Sequence, residues 1–177
     1  MTRAHPELLL QVKNLHLSFG TNAVLRGVDL DIGRGQLLGL VGPNGSGKTS
    51  LIRAVTGLLA VAPGQIHINN IDLALDPQGA RRHLGFAPDP TRLPPALSGR
   101  QAMSVAAAAR GIDSIPATTL ALADRLGASP WIDQRIETYS LGTRQKFAIL
   151  IGLIGDPPLL VLDEVMNGLD PISSHEL

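Results

Sequence analysis

The chain has 177 residues, a formal net charge of +0 at neutral pH, an apolar fraction of 44% and no cysteine. This length and composition predict one globular domain with a buried core, and the lack of cysteine excludes a disulfide scaffold and thiolate metal sites. Since aromatic residues make up only 3% of the chain, a nucleic-acid partner is disfavoured. No stretch reaches the roughly 18 uncharged apolar residues of a membrane helix, so we expect a soluble chain.

The first half of the chain is predicted to be mostly strands. Partial alternation of apolar and polar residues in 8–19 and 28–32 indicates half-exposed strands, and the near-continuous apolar run 36–41 predicts a strand buried on both faces. After a glycine-rich turn, residues 48–60 carry an apolar stripe at helical spacing. Further strands are predicted within residues 64–74 and 83–88.

The second half begins with three predicted helices. Residues 97–111 have Ser98 placed as N-cap, Gln101 three residues later and Gly111 as a stop. The segments 114–127 and 140–155 follow, and Ser140 is again placed as an N-cap. Residues 157–164 then predict another buried strand. Because strands and helices alternate on either side of this helical segment, we expect an α/β core with a parallel sheet.

The sharpest motif is GPNGSGKT, which matches G-x-x-x-x-G-K-[ST]. Gly45 and Gly47 free the backbone to turn successive N–H groups inward, and the following helix presents its positive end. In this pattern Lys48 reaches the β- and γ-phosphates of a nucleotide, and the Thr49 hydroxyl binds Mg²⁺. The alternative is a chance glycine turn. The predicted nucleotide-binding residues of this loop are Gly42, Pro43, Asn44, Gly45, Ser46, Gly47, Lys48, Thr49 and Ser50.

An acidic pair, Asp163 and Glu164, ends the predicted strand LLVLDE. Carboxylates at the C-terminal end of a parallel strand lie where open α/β sheets bind their ligands. We therefore expect Asp163 to hold Mg²⁺ and Glu164 to orient or deprotonate the attacking water. An acidic strand end without a phosphate loop would be weak evidence, because Asp commonly caps helices or forms turns.

In order and spacing, these segments resemble the ATP-binding cassette (ABC) family over nearly the whole chain. GPNGSGKT is similar to its Walker A motif, LLVLDE to its Walker B motif, NGLD at 167–170 to its D-loop, and YSLGTRQ at 139–145 to its signature LSGGQ. The resemblance implies a P-loop NTPase: an α/β fold with a mainly parallel sheet, an antiparallel N-terminal β-subdomain and a helical insert. It implies a single nucleotide-binding domain over 1–177, with a RecA-like core at 1–96 and 141–177 and a helical subdomain at about 97–140.

The resemblance also implies roles for residues outside the phosphate loop. Phe19 matches the aromatic residue that stacks on adenine, although in an amphipathic strand it would equally serve as core. The signature residues would face the partner's ATP, and Ser140 has the alternative of a plain helix cap. The signature set is Ser140, Leu141, Gly142 and Thr143, and the D-loop set, a dimer contact, is Asn167, Gly168, Leu169 and Asp170.

The chain departs from the family pattern at several positions. Asp89 stands where the family usually has a Mg²⁺-contacting Gln, and it reads equally as a turn residue before Pro90. Leu141 and Thr143 replace the usual Gly and Gln of the signature. The switch histidine of the family lies on a further strand, and His175 follows the D-loop too closely for that role. We therefore expect a chain truncated at its C-terminal end that binds ATP but hydrolyses it slowly alone.

The expected function is ATP binding and Mg²⁺-dependent hydrolysis that powers transport, as the nucleotide-binding subunit of an ABC transporter of the exporter type. The resemblance implies a transmembrane permease as partner, a head-to-tail dimer with itself or a homologous cassette, and a cytoplasmic position at the inner face of the membrane. The alternative is a degenerate or regulatory ATP-binding subunit without significant hydrolysis.

Overall fold

The computed structural model describes residues 7–163, and these form two compact units with the boundary between Leu84 and Gly85. The strands of the described part are β1 Leu8–Phe19, β2 Asn22–Gly33, β3 Ile66–Ile68, β4 Ile71–Asp72, β5 Leu84–Ala87 and β6 Leu159–Leu162. Its α-helices are α1 Lys48–Val55, α2 Pro77–Arg82, α3 Gly99–Ala109, α4 Ala117–Arg125 and α5 Leu141–Leu153.

The first unit is built on an antiparallel sheet with strand order β2-β1-β3-β4. The two long strands form a hairpin that closes at the pair Phe19 and Asn22, and its register shifts near Asn14, which has a φ of 44°. The core of this unit includes Val12 and Leu15 from β1 and Ile66 from β3. This antiparallel N-terminal sheet agrees with the prediction from the sequence.

The apolar run 36–41 is not a strand in this structure, so the prediction of a strand buried on both faces was wrong. Leu37 is 98% exposed and Val41 is 97% exposed, and Leu38 and Leu40 are exposed as well. A strand needs a neighbour for its N–H and C=O groups and a packed face for its side chains. Among the described residues, no strand pairs with this run.

Helix α1 is shorter than its apolar stripe predicted. It ends at Val55, and Gly57 then takes a left-handed conformation with a φ of 70°. Such a glycine is a common stop for a helix because other residues adopt this conformation with strain. Leu58 therefore lies beyond the helix and is exposed instead of contributing to the core.

The second unit contains the three helices predicted for the second half of the chain. Ser98 accepts a hydrogen bond from the Gln101 amide, and the Gln101 side chain accepts one from the Ser98 amide, which forms the predicted capping box. Helix α5 runs through the core of this unit, where Phe147, Ala148 and Leu150 are buried. The short helix α2, opened by Asp76 as N-cap, was not predicted from the sequence.

Strands β5 and β6 form a two-stranded sheet in the second unit. The Asp163 amide, just past the end of β6, donates to the Ala87 carbonyl at the end of β5, over 3.1 Å. Because the ends of the two strands meet, the strands run parallel. Asp163 therefore lies beside the segment that leaves β5 and leads to Asp89.

Candidate functional site

The phosphate loop has the backbone that its glycines predicted. Gly45 has a φ of 81° and Gly47 a φ of 94°, both in the left-handed region that favours glycine. A Cβ at Gly47 would lie 2.8 Å from Leu25 Cδ2 and 3.4 Å from the Val24 carbonyl oxygen. Glycine is therefore needed here for two reasons, because the loop must turn and must also pack closely against β2.

The loop ends at a helix N-terminus that no side chain caps. Gly47 is the N-cap of α1 and has no side chain to accept the amide hydrogens of the first turn. Those N–H groups are left for an external anion, which the positive end of the helix also attracts. The cap thus keeps the end of α1 open for a phosphate group.

The Lys48 side chain folds back over the loop that it follows. Its ammonium group donates to the Gly42 carbonyl over 2.6 Å and to the Pro43 carbonyl over 2.8 Å. The Ser46 amide donates to the Pro43 carbonyl over 3.3 Å, which closes the turn. One positive charge and a set of backbone amides therefore share a small, largely exposed loop, an arrangement suited to a polyphosphate.

Phe19 lies at the end of β1 with its side chain 50% exposed. The structure therefore disfavours the alternative in which Phe19 is a core residue. On the hairpin that carries Phe19, Leu17 pairs with Leu25, and Leu25 contacts the phosphate loop at Gly47. The hairpin of β1 and β2 thus carries the exposed Phe19 ring and also contacts the phosphate loop.

Asp89 has the turn role that the sequence left open, and it keeps its charge. It caps a 3-10 turn at Pro90–Arg92 and accepts hydrogen bonds from the Thr91 hydroxyl over 2.7 Å and the Thr91 amide over 2.8 Å. The Thr91 hydroxyl and amide hold the pKa of the Asp89 carboxyl below its ordinary value. With Asp163 on the neighbouring strand end, this part of the second unit carries two carboxyl groups.

The signature segment forms the start of α5. Ser140 is its N-cap and accepts a hydrogen bond from the Thr143 amide over 3.1 Å, and the Ser140 and Thr143 hydroxyl groups are 2.9 Å apart. The cap role is therefore confirmed. Ser140 and Leu141 are also exposed, and Gly142 and Thr143 are half-buried, so the cap remains open to a partner.

The sequence-predicted residues fall into two groups, one in each unit. The first unit holds Phe19 and the loop 42–50, and the second holds Asp89, Asp163 and the signature. Glu164 and the D-loop residues, 167–170, lie outside the described residues. Within residues 7–163 there is no cluster of three or more His, Cys, Asp or Glu side chains. The candidate ligands are oxygen atoms, which suit Mg²⁺ better than a transition metal.

Sequence reasoning missed the residues that anchor the signature. Tyr139 is buried, and its hydroxyl accepts a hydrogen bond from the Gly99 amide over 3.1 Å and donates to the Trp131 carbonyl over 2.6 Å. Its ring packs against Phe147, with centroids 4.9 Å apart. The available signal was that the single tyrosine of the chain directly precedes Ser140.

Two observations now define the kind of protein. A glycine-rich loop opens the N-terminus of α1, and a capped helix carries the signature in the second unit. The profile of the ABC transporter family matches residues 25–167. The chain belongs to the ABC transporter family. It is an ATP-binding subunit of that family, and such subunits are ATPases.

Individual relatives agree with this assignment. The lantibiotic transport ATP-binding protein SrtF of Streptococcus pyogenes is 34% identical over 170 residues, which cover 96% of this chain and 72% of SrtF. The zinc import ATP-binding protein ZnuC of Pseudomonas putida is 32% identical over 97% of this chain and 62% of its own length.

A solved structure of the ATP-binding subunit of an ABC transporter superposes with a TM-score of 0.83 at 29% identity, over 95% of this chain and 71% of that one. This likeness confirms the predicted fold class, a P-loop NTPase with a mainly parallel sheet, an antiparallel N-terminal β-subdomain and a helical insert. Within residues 7–163 none of the helices combines the length and the apolar composition needed to cross a bilayer.

Proposed function

We propose that this chain binds ATP with Mg²⁺ and hydrolyses it to power transport, as the nucleotide-binding subunit of an ABC transporter. The observation that carries the proposal is the N-terminus of α1, which no side chain caps. It follows a glycine-rich loop, and the Lys48 ammonium group donates hydrogen bonds to that loop. Hydrolysis fits this chain better than the degenerate alternative, because Lys48, Asp163 and Glu164 are all present.

Binding rests on the loop and on Phe19. The amides of residues 42–50 and the Lys48 ammonium hold the phosphates, since both direct positive charge at the same small loop. Lys48 exchanges its present carbonyl partners, Gly42 and Pro43, for phosphate oxygens. The half-exposed Phe19 ring stacks on the adenine.

The Thr49 hydroxyl and the carboxylates of Asp163 and Asp89 would hold Mg²⁺. When bound, this ion neutralises charge that develops on the phosphate oxygens. The pKa of the Asp89 carboxyl lies below its ordinary value because the Thr91 hydroxyl and amide donate to it, so Asp89 is ionised at neutral pH. Glu164 takes a proton from the water that attacks the terminal phosphate.

Two chains close head to tail over two ATP molecules. Ser140, exposed at the N-terminus of α5, faces the γ-phosphate bound to the partner chain, and residues 167–170 contact the partner as the D-loop. A transmembrane permease at the inner face of the membrane completes the transporter. SrtF is named for lantibiotic transport and ZnuC for zinc import, so the names of the relatives do not identify the transported substrate.

The test compares two variants with a surface control. Glu164→Gln is expected to keep ATP binding and to lower the ATPase rate by about 10²–10⁴, whereas Lys48→Ala is expected to weaken binding of a fluorescent ATP analogue. Lys13→Ala removes an exposed positive charge elsewhere and should change neither. A chain that binds ATP but has no ATPase activity to lose would support the degenerate subunit instead, and wild-type binding by Lys48→Ala would reject the proposed site.

A further inference from the structure

Tyr139 lies at a junction of three segments of the second unit. Its hydroxyl accepts from the amide of Gly99, the first residue of α3, and lies within hydrogen-bond distance of the carbonyl groups of Trp131 and Gln134. One hydroxyl hydrogen serves one acceptor at a time, and the Trp131 carbonyl is closer, at 2.6 Å against 3.1 Å for Gln134. Tyr139 thus connects the start of α3 to the 3-10 turn Ser129–Trp131.

The Tyr139 ring also contacts the helix that carries the signature. It packs against Phe147, which is fully buried two turns into α5, and meets the Trp131 ring edge to face with centroids 6.4 Å apart. Such aromatic pairs have preferred relative orientations. The residue directly before Ser140 is therefore fixed both by its ring and by its hydroxyl.

Gly99 makes this contact possible. A Cβ at Gly99 would lie 2.6 Å from the Tyr139 hydroxyl oxygen and would also collide with the Phe147 ring. Only glycine lets the first amide of α3 approach Tyr139 closely enough to donate to it. This amide is one of the helix N-terminal donors that have no partner inside the helix, and it is buried together with the Tyr139 hydroxyl.

We infer that Tyr139 is a positioning residue whose hydroxyl fixes Ser140 for contact with the ATP of a partner chain. The inference rests on the proposed function, because it assumes that Ser140 faces that ATP. Tyr139 itself is buried and does not touch the nucleotide. Its hydroxyl holds the backbone next to the N-cap of α5 against the start of α3. Ser140 is therefore already ordered before the partner binds, and association does not have to offset the entropy of ordering it.

The experiment measures ATP-dependent dimerisation of the full chain by light scattering, in the Glu164→Gln background with MgATP. Tyr139→Phe keeps the ring and removes the hydroxyl. It should raise the dimer dissociation constant by up to about tenfold, because Ser140 must then be ordered on association, at a cost typical of one immobilised side chain. ATP affinity, measured at chain concentrations where the protein is monomeric, should stay within about twofold, since the phosphate loop is untouched.

Two further variants provide the comparison. Thr138→Val removes the neighbouring hydroxyl, which donates to the Arg135 carbonyl over 2.7 Å and is exposed, and it should leave dimerisation unchanged. Ser140→Ala removes the proposed contact itself and should weaken dimerisation at least as much as Tyr139→Phe. Melting curves of all variants show whether the second unit is folded.

The outcomes separate this inference from the proposed function. If Ser140→Ala weakens the dimer and Tyr139→Phe behaves like Thr138→Val, the positioning role is rejected while the proposed function stands. If Tyr139→Phe lowers monomer ATP affinity by the same factor as dimerisation, the residue has only a general structural role. If no ATP-dependent dimer forms, or if Ser140→Ala leaves it intact, the proposed contact of Ser140 with the partner's ATP is rejected, and the positioning role with it. ATP binding and the ATPase rate still decide the proposed function of the phosphate loop.

Discussion

At the scale of single residues, the Tyr139 hydroxyl is held by hydrogen bonds to the Gly99 amide and the Trp131 carbonyl. Burial raises the pKa of Tyr139 above its ordinary value, the Gly99 amide lowers it by a smaller amount, and Asp133 adds a further rise. A buried tyrosinate would lose part of its hydration, which disfavours the charged form. Tyr139 is also the single tyrosine of the chain, so its titration has no competing signal.

We expect the tyrosinate absorbance of the folded chain to appear at higher pH than that of the unfolded chain, which should titrate near pH 10. Because the folded-state pKa is raised, the stability contribution of neutral Tyr139 is complete below the unfolded pKa. It is lost as the pH rises through the folded pKa. A titration curve that does not change on adding denaturant would contradict this expectation.

Glycines at the start of two helices should respond to alanine with opposite signs. At Gly99 in α3 a Cβ would collide with Tyr139 and Phe147, whereas at Gly142 in α5 nothing lies within 4 Å of the added Cβ. Gly99→Ala is therefore expected to lower the free energy of unfolding by about 1–3 kcal/mol. Gly142→Ala should raise it by roughly 0.5–1 kcal/mol, because alanine has the higher helix propensity.

Urea unfolding of the two variants measures both changes, and equal effects would show that packing at Gly99 does not matter. Gly142 belongs to the signature, so this comparison concerns stability and not ATPase activity.

At the scale of elements, the Arg110 side chain caps the C-terminal end of helix α5. The Arg110 guanidinium donates hydrogen bonds to the carbonyl groups of Ile151, Gly152 and Ile154. The last carbonyls of a helix lack its regular i→i+4 partners, and a cation also suits the negative end of the helix dipole. Burial lowers the pKa of Arg110, yet arginine stays protonated in proteins.

Replacing Arg110 should be far more costly than replacing a surface arginine. Arg110→Leu is expected to lower the free energy of unfolding by about 1–3 kcal/mol, because half-buried carbonyl groups are left without donors. Arg135→Leu removes an arginine from an exposed pair with Glu137 at 3.4 Å, and should change stability by less than about 0.5 kcal/mol. Equal unfolding midpoints in urea would contradict the capping role of Arg110.

At the scale of the whole molecule, the apolar run 36–41 is the main departure from ordinary globular packing among the described residues. Leu37 and Val41 are almost fully exposed, and no described strand pairs with them. Contiguous exposed apolar residues with unpaired backbone groups favour association between molecules. The same run leads directly into the phosphate loop.

Polar substitutions in this run should improve solubility without loss of stability. Leu37→Gln combined with Val41→Thr is expected to raise the concentration at which light scattering appears and to leave the unfolding midpoint unchanged, because neither side chain is buried. Leu10→Ala, in the buried core of the first unit, should instead cost about 2–5 kcal/mol. A large loss of stability in the double variant would show that the run is packed in solution.

The sequence determined those features whose physics is local. The glycines of GPNGSGKT permit positive φ values, Ser98 and Ser140 cap the helices that follow them, and Gly111 and Gly127 take the left-handed conformation after α3 and α4. Each depends on residues a few positions apart, so each can be recognised from the residue types alone. The family resemblance arises from the same short segments.

Only the tertiary structure decided the features that need partners distant in the chain. The run 36–41 has the composition of a buried strand, but a strand forms only where another one pairs with it, and residues 7–163 offer none. Tyr139 and Gly99 are forty positions apart, and their hydrogen bond depends on how α3 and α5 pack around Phe147. Burial and pairing are properties of the whole fold, which is why residue types predicted the phosphate loop but not the anchor of the signature.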